Sequence, residues 1–147
     1  MYRAALNAGL ILSLRNLPRT ASLGLAAVSH VEVVFLFHLA RESEIATGSR
    51  HPRHRLDWPK VDIFAQHGKN RPNRIGVAIC RLLSVENLFR ERAGLNAIDG
   101  TPVLDIKPYM REFAARGDTR QPEWVDELMG GYWENCRIVL PAGLFEC

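Results

Sequence analysis

The sequence predicts a mainly β protein: a small closed antiparallel β-barrel with short peripheral and C-terminal helices. Three observations carry this expectation. Apolar runs rich in β-branched and aromatic residues recur along the chain, as in Val31 to Leu39 and Ile75 to Leu83. Polar segments rich in Gly, Pro and Asn separate them at close spacing, the pattern of a meander that curls on itself. Helical periodicity is confined to a stretch near the C-terminus. At 147 residues the chain fits one domain that buries roughly two thirds of its unfolded surface.

Met1 to Ala27 carries Arg3, Arg15 and Arg19 and no acidic residue, a composition that overlaps with targeting peptides. Its apolar run from Gly9 to Leu14 is too short to span a bilayer, and no small-residue cleavage site follows. We read residues 1–28 as a lead-in and residues 29–147 as the barrel domain with its C-terminal helix. The first strand, VEVVFLFHL, is uncharged after Glu32 and reads as buried. His38 near its end is either a satisfied core histidine or a ligand contact. Glu42 to Arg55 is a loop. Lys60 to Ala65 is a short strand candidate with Val61 and Ile63 on one face, and His67 to Arg74 (HGKNRPNR) is a second, turn-rich loop.

Ile75 to Leu83 resumes as an apolar strand. Val85 to Arg92 alternates apolar and charged residues with the period of a half-exposed strand. Ala97 to Ile106 then contains an Asp-Gly-Thr-Pro turn, because Asp and Gly tolerate left-handed backbone and Pro presets φ. The strand after that turn, Val103 to Lys107, carries Asp105 and Lys107, which are costly to bury unless paired or used. Pro122 suits a first helical position, with Trp124, Leu128 and Tyr132 on one face and Gly130-Gly131 as the stop.

Charge is uneven. The net charge is only +3, yet Arg50 to Arg74 holds seven Lys or Arg against Asp57 and Asp62, with His51, His54 and His67 among them. Such a stretch is either a solvated basic loop or a surface for phosphate or carboxylate. The three cysteines, Cys80, Cys136 and Cys147, form no zinc or disulfide framework. A reducing cytoplasm therefore fits, and Cys80 reads as a small buried hydrophobe. The chain has no GxGxxG, P-loop lysine motif, HExxH or GxSxG, which removes ground from dinucleotide, P-loop, zincin and hydrolase readings. No metal site is expected.

Several segments, taken in order, resemble the TsaA-like family. They are His30-Val31 before the strand ending Phe37-His38, His51-Pro52-Arg53, Pro59-Lys60-Val61, Phe64-Ala65, Arg71-Pro72-Asn73 with Ile75-Gly76, and Asp99 to Tyr109 (DGTPVLDIKPY). The resemblance spans Ser29 to Phe113, and the RPNxIG and DGTPVLDIKPY segments are its most specific parts. It implies a β-barrel that binds S-adenosylmethionine without a Rossmann domain, acting as a homodimer. TrmO-type members of this family are S-adenosylmethionine-dependent tRNA methyltransferases. Their reaction methylates N6 of N6-threonylcarbamoyladenosine next to the anticodon.

By position, the resemblance places the cofactor against His38, Leu39, His67, Arg71, Ile79, Ile98, Asp99, Gly100 and Thr101. The tRNA side would use Arg53, Lys60, Asn73, Lys107 and Tyr109, with Asp105 as a candidate base for the N6 proton. Asp105 has a second reading as an ion-pair or hydrogen-bond partner of Lys107, Arg71 or a turn amide. Gln66-His67 stands where many family members carry arginine, and Met1 to Ala27 does not reproduce the family's longer N-terminal region. Two other functions stay open: a methyltransferase with a small-molecule or other RNA acceptor, and a non-catalytic S-adenosylmethionine- or RNA-binding module.

Overall fold

The computed structural model describes residues 23–82, 92–93, 97, 100–132, 137–140 and 143–146. Its centre is an antiparallel sheet of four strands, β1 (His30–Leu36), β2 (Ile75–Leu82), β3 (Arg92–Ala93) and β4 (Val103–Pro108), in the order β3-β2-β1-β4. Alternation in β1 decides the packing. Val31, Val33 and Phe35 are buried while Glu32, Val34 and Leu36 are half-buried on the opposite face, the period of 2 that strand geometry imposes. Register sets Val31 beside Cys80, Val33 beside Ala78 and Phe35 beside Gly76 on β2, and Val33 beside Ile106 on β4. Val31, Val33, Phe35, Cys80 and Val103 form the core, with Leu25, Val28, Phe37, Ala97 and Ile106 packed against them. Cys80 is the buried hydrophobe its apolar run predicts.

Gly76 is a position of close approach. A Cβ there would fall 2.5 Å from two ring atoms of Phe35 and 3.0 Å from Phe37, so only glycine lets the Phe35 ring lie on β2. That ring meets Phe37 edge-on at 5.2 Å. Opposite, the β1–β4 ladder slips at Val34/Phe35, a bulge at the strand end that leads into the turn before β4.

The expectation of a closed barrel is corrected. Among the described residues β4 pairs with β1 and β3 pairs with β2, and no ladder joins β3 to β4. Closure requires a continuous ladder around the circumference, so this sheet is open. Lys60 to Ala65 is likewise not a strand. Val61 makes one isolated bridge to Arg50, and Ile63–Ala65 is a 3₁₀ turn that begins after Asp62. Pro59 has no N–H to extend the ladder, and Ile63 is buried while Phe64 is exposed. Of Val85 to Arg92, only Arg92 falls within the described residues.

The C-terminal helix is α1 (Glu123–Met129), with Pro122 as its N-cap rather than its first helical residue and Gly130 at its end. Its buried Trp124 packs on Trp58 with ring centroids 6.0 Å apart, while Leu128 and Tyr132 are half-buried. A hairpin of β5 (Arg137–Leu140) and β6 (Gly143–Glu146) follows. No described helix is long and apolar enough to cross a membrane.

Candidate functional site

At its C-terminal end β1 leaves the sheet and is caught between two loops. Leu36 N–H donates to Pro102 O at 2.9 Å, and Phe37 N–H donates to Arg74 O at 2.7 Å. His38 and Ala40 then turn back on Leu36 and Phe37 by hydrogen bonds of 2.8 and 3.0 Å. His38 is therefore fixed where the turn before β4 meets the loop before β2. Gly100 has φ 75°, the left-handed backbone that Asp-Gly turns favour, and Thr101 beside it is only 7% exposed.

The loop before β2 is braced by its own arginines. Arg71 Nη1 donates to Gln66 O at 2.6 Å and Ile63 O at 3.2 Å, and its guanidinium lies 5.8 Å from the Phe64 ring. Arg74, at φ 53°, sends Nη1 to Ala40 O at 3.2 Å. Ala46 N–H donates to Asn70 O at 3.0 Å. Two buried polar atoms in these adjoining segments have no hydrogen-bond partner: His38 Nδ1 and Asn70 Oδ1. Buried polar atoms are almost always satisfied by protein, water or ligand, so each of these two atoms has capacity for one further polar partner. S-adenosylmethionine fits that chemistry, because its adenine, ribose and amino-acid tail bring both donors and acceptors. His38 can serve either kind through the choice of tautomer. Arg71 still has Nε and Nη2 to offer a carboxylate.

The predicted site residues divide in two. His38 follows the end of β1, Gly100 and Thr101 precede the Pro102 whose carbonyl bonds Leu36 N–H, and Arg71 and Asn73 lie in the loop whose Arg74 carbonyl bonds Phe37 N–H. His67 and Leu39 are exposed, Leu39 at 64%. Ile79 does not join them. It pairs with Glu32 on the face of the sheet away from the core, six residues before His38, or roughly 15–20 Å along the strand. That face also holds Asp105 opposite Val34 and Lys107 opposite Glu32, and the Tyr109 ring stands 6.5 Å from His30. Asp105 is exposed and engaged locally: Oδ1 accepts from Ile106 N–H at 2.9 Å, and Oδ2 lies 3.7 Å from Lys107 Nζ. Of the two readings of Asp105, the ion pair with Lys107 is present. Ile98 and Asp99 lie outside the described residues.

Arg53 and Lys60 stand on the loop closed by the Arg50–Val61 bridge. Arg53 and His54 are consecutive left-handed residues, φ 48° and 61°, a conformation that non-glycine residues hold only when their surroundings impose it. The bracing is visible. His51 Nδ1 bonds Trp58 O at 2.6 Å, and Trp58 Nε1 donates to Glu127 Oε2 of α1 at 2.9 Å. Arg55 stacks 4.2 Å over the Trp58 ring, pairs with Asp57, and lies 3.8 Å from Glu127. Hydrogen bonding from Arg55 holds the Asp57 carboxyl below the ordinary aspartate range, and the same contact raises the Arg55 guanidinium. Arg55 thus belongs to the scaffold, whereas Arg53 and Lys60 are exposed without an ion pair among the described residues.

A groove of roughly 350 Å³ at this clasp is lined by Asp57, Trp58, Pro59, Glu123, Trp124 and Glu127. Its three carboxylates repel phosphate. No group of three or more His, Cys, Asp or Glu side chains among the described residues is placed to hold a metal ion. Sequence reasoning missed Asn70 and the Trp58–Glu127–Trp124 clasp. The clasp joins residues 69 positions apart in the chain, which no local pattern signals, and Asn70 reads in the sequence as an ordinary turn residue.

Residues 3–115 match the family model of the tRNA-methyltransferase O N-terminal domain, a match that begins inside the segment set apart as a lead-in. The chain is 34% identical over 107 residues to human tRNA (adenine(37)-N6)-methyltransferase, covering 73% of this chain and 24% of that protein. It is 35% identical to a protein of Methanothermobacter thermautotrophicus named a probable S-adenosyl-L-methionine-binding protein, covering 64% of each. A crystal structure of TrmO from Pseudomonas aeruginosa superposes with a TM-score of 0.52 at 37% identity, over 68% of this chain and 40% of that one.

Proposed function

The chain belongs to the tRNA-methyltransferase O N-terminal domain family, and we propose that it is an S-adenosylmethionine-dependent methyltransferase acting on N6 of N6-threonylcarbamoyladenosine beside the anticodon of tRNA. The observation that carries this reading is the family match over residues 3–115; inside it, His38 Nδ1 just after β1 and Asn70 Oδ1 in the loop before β2 are buried without partners, which suits a polar ligand. S-adenosylmethionine, when bound, supplies an electrophilic methyl group. Everything else falls to the chain's own residues. His38, Arg71 and the Gly100–Thr101 backbone hold and orient the cofactor. Leu39, His67, Ile98 and Asp99 complete the proposed set of cofactor contacts. Methyl transfer is a displacement at carbon, so most of the catalysis comes from holding the reacting atoms in line.

On the acceptor side, Arg53 and Lys60 meet phosphates. Asn73, Lys107 and Tyr109 position the nucleoside, and Asp105 takes the N6 proton. The separation of Ile79, Asp105, Lys107 and Tyr109 from His38 within one chain supports a homodimer, in which the outer face of one copy completes the pocket of the other. Exposed apolar side chains on that face, Val77 at 60% and Ile79 at 48%, favour such a contact. A reducing cytoplasm suits the enzyme.

This chain spans well under half the length of the human and Pseudomonas proteins it matches, so activity is tested on the chain itself. Incubation with methyl-labelled cofactor should label threonylcarbamoylated tRNA and leave unmodified tRNA unlabelled. Equal labelling of both would reject the proposed acceptor. A second reading, a binding module without turnover, draws support from the local engagement of Asp105, and cofactor binding with no labelling of either tRNA would favour it.

A further inference from the structure

We infer that Asn70 is a cofactor-contacting residue, its Oδ1 accepting a hydrogen bond from an N–H or O–H group of S-adenosylmethionine. The inference rests on the proposed cofactor reading and adds a residue to it.

The side chain sits in a defined place. The Asn70 carbonyl is held by Ala46 N–H at 3.0 Å, and the segment it begins is tied to the end of β1 by Phe37 N–H to Arg74 O and by Arg74 Nη1 to Ala40 O. Asn70 and His38 therefore belong to adjoining strips of backbone, and each brings one fully covered, unpartnered polar atom. The arginines nearest in sequence do not relieve the acceptor, because Arg71 Nη1 is held by Gln66 O and Ile63 O and Arg74 Nη1 by Ala40 O. An acceptor left bare in a braced loop is a preorganised contact: nothing has to be broken before a ligand donor takes it.

The ligand chemistry is restricted. Oδ1 of an amide accepts and cannot donate, so its partner is a hydrogen-bearing group. The cofactor carries such groups at two ends, the adenosyl amine and hydroxyls at one and the α-ammonium at the other. The sulfonium carries none. 5′-Methylthioadenosine has only the first end, so comparing it with S-adenosylmethionine locates the contact.

The test is binding by calorimetry to the full 147-residue chain, with wild type, Asn70→Ala and Asn70→Asp. Loss of one buried hydrogen bond in Asn70→Ala should weaken S-adenosylmethionine binding about tenfold, and Asn70→Asp, which keeps an acceptor, should recover most of it. A parallel loss for 5′-methylthioadenosine assigns the contact to the adenosyl end; a loss confined to S-adenosylmethionine assigns it to the α-ammonium. The Asn70 side-chain amide should also shift in NMR spectra of the wild-type chain as cofactor is added, a readout that does not depend on a variant folding. Tight wild-type binding with an unchanged Asn70→Ala affinity or an unmoved amide would overturn the role of Asn70 alone. A folded wild-type chain that binds no cofactor would overturn the parent reading instead.

Discussion

The end of β1 and the outer face of the sheet are built from the same three strands, yet they answer to different constraints. At the strand end, backbone hydrogen bonds from two loops converge, and His38 Nδ1 there and Asn70 Oδ1 in the loop before β2 are buried without partners. On the outer face, Ile79, Asp105 and Lys107 are exposed, and the two charges satisfy each other locally. The first region is fixed and unsatisfied, and the second is satisfied but uncovered. A region of the first kind suits a small ligand with polar groups. A face of the second kind calls for a macromolecular surface.

Both regions hang on Phe35, so the largest effect should come from its removal. Phe35→Ala should cost ~3–5 kcal/mol through the cavity it leaves, and Gly76→Ala about 1–3 kcal/mol because its Cβ collides with the same ring. Chemical denaturation measures both, and a neutral Gly76→Ala would show that the ring has room to move. Arg71→Ala should separate the regions: it frees the Ile63 and Gln66 carbonyls that brace the loop and should weaken cofactor binding about tenfold or more. Asp105→Asn, by contrast, should lower turnover while leaving cofactor affinity unchanged. If Asp105→Asn weakened cofactor binding instead, the division between the two regions would fail.

Val77→Lys, at an exposed position, should shift fold stability by less than about 0.5 kcal/mol and convert the proposed dimer to monomer in light scattering. The smallest effect belongs to Asp57. Its carboxyl is held below the ordinary range by Arg55, so the folded state binds that proton less readily than the unfolded chain. The stability it contributes is complete above the unfolded aspartate value and is lost as pH falls through the lower folded one. Both side chains are about half exposed, so the change should be slight and reduced by salt. NMR titration of Asp57 checks the direction, and a midpoint at or above the ordinary aspartate value would refute it.

What could be read in advance follows the range of the physics. The β1 alternation, the turn at Gly100–Thr101 and the Trp124 face of α1 are local patterns, and they stand in the structure as the sequence implies. Val61 and Ile63 show the limit. Their alternation matches a strand, but Pro59 and the tightening after Asp62 end the pairing at one bridge. The open sheet was not legible, because closure depends on which strands meet rather than on any strand's own pattern. Nor was the unsatisfied Asn70 acceptor, since Asn in HGKNRPNR has the same turn signature whether its side chain faces water or a pocket. Arg71 was legible as a candidate cofactor contact, but its engagement with two carbonyls of its own loop was not.

The central claim is that the end of β1 receives S-adenosylmethionine. Calorimetric titration of the full chain with S-adenosylmethionine tests it most directly. The account predicts saturable binding of one cofactor per chain that His38→Ala and Arg71→Ala each weaken; a folded chain with no saturable binding, or binding indifferent to both substitutions, would contradict it.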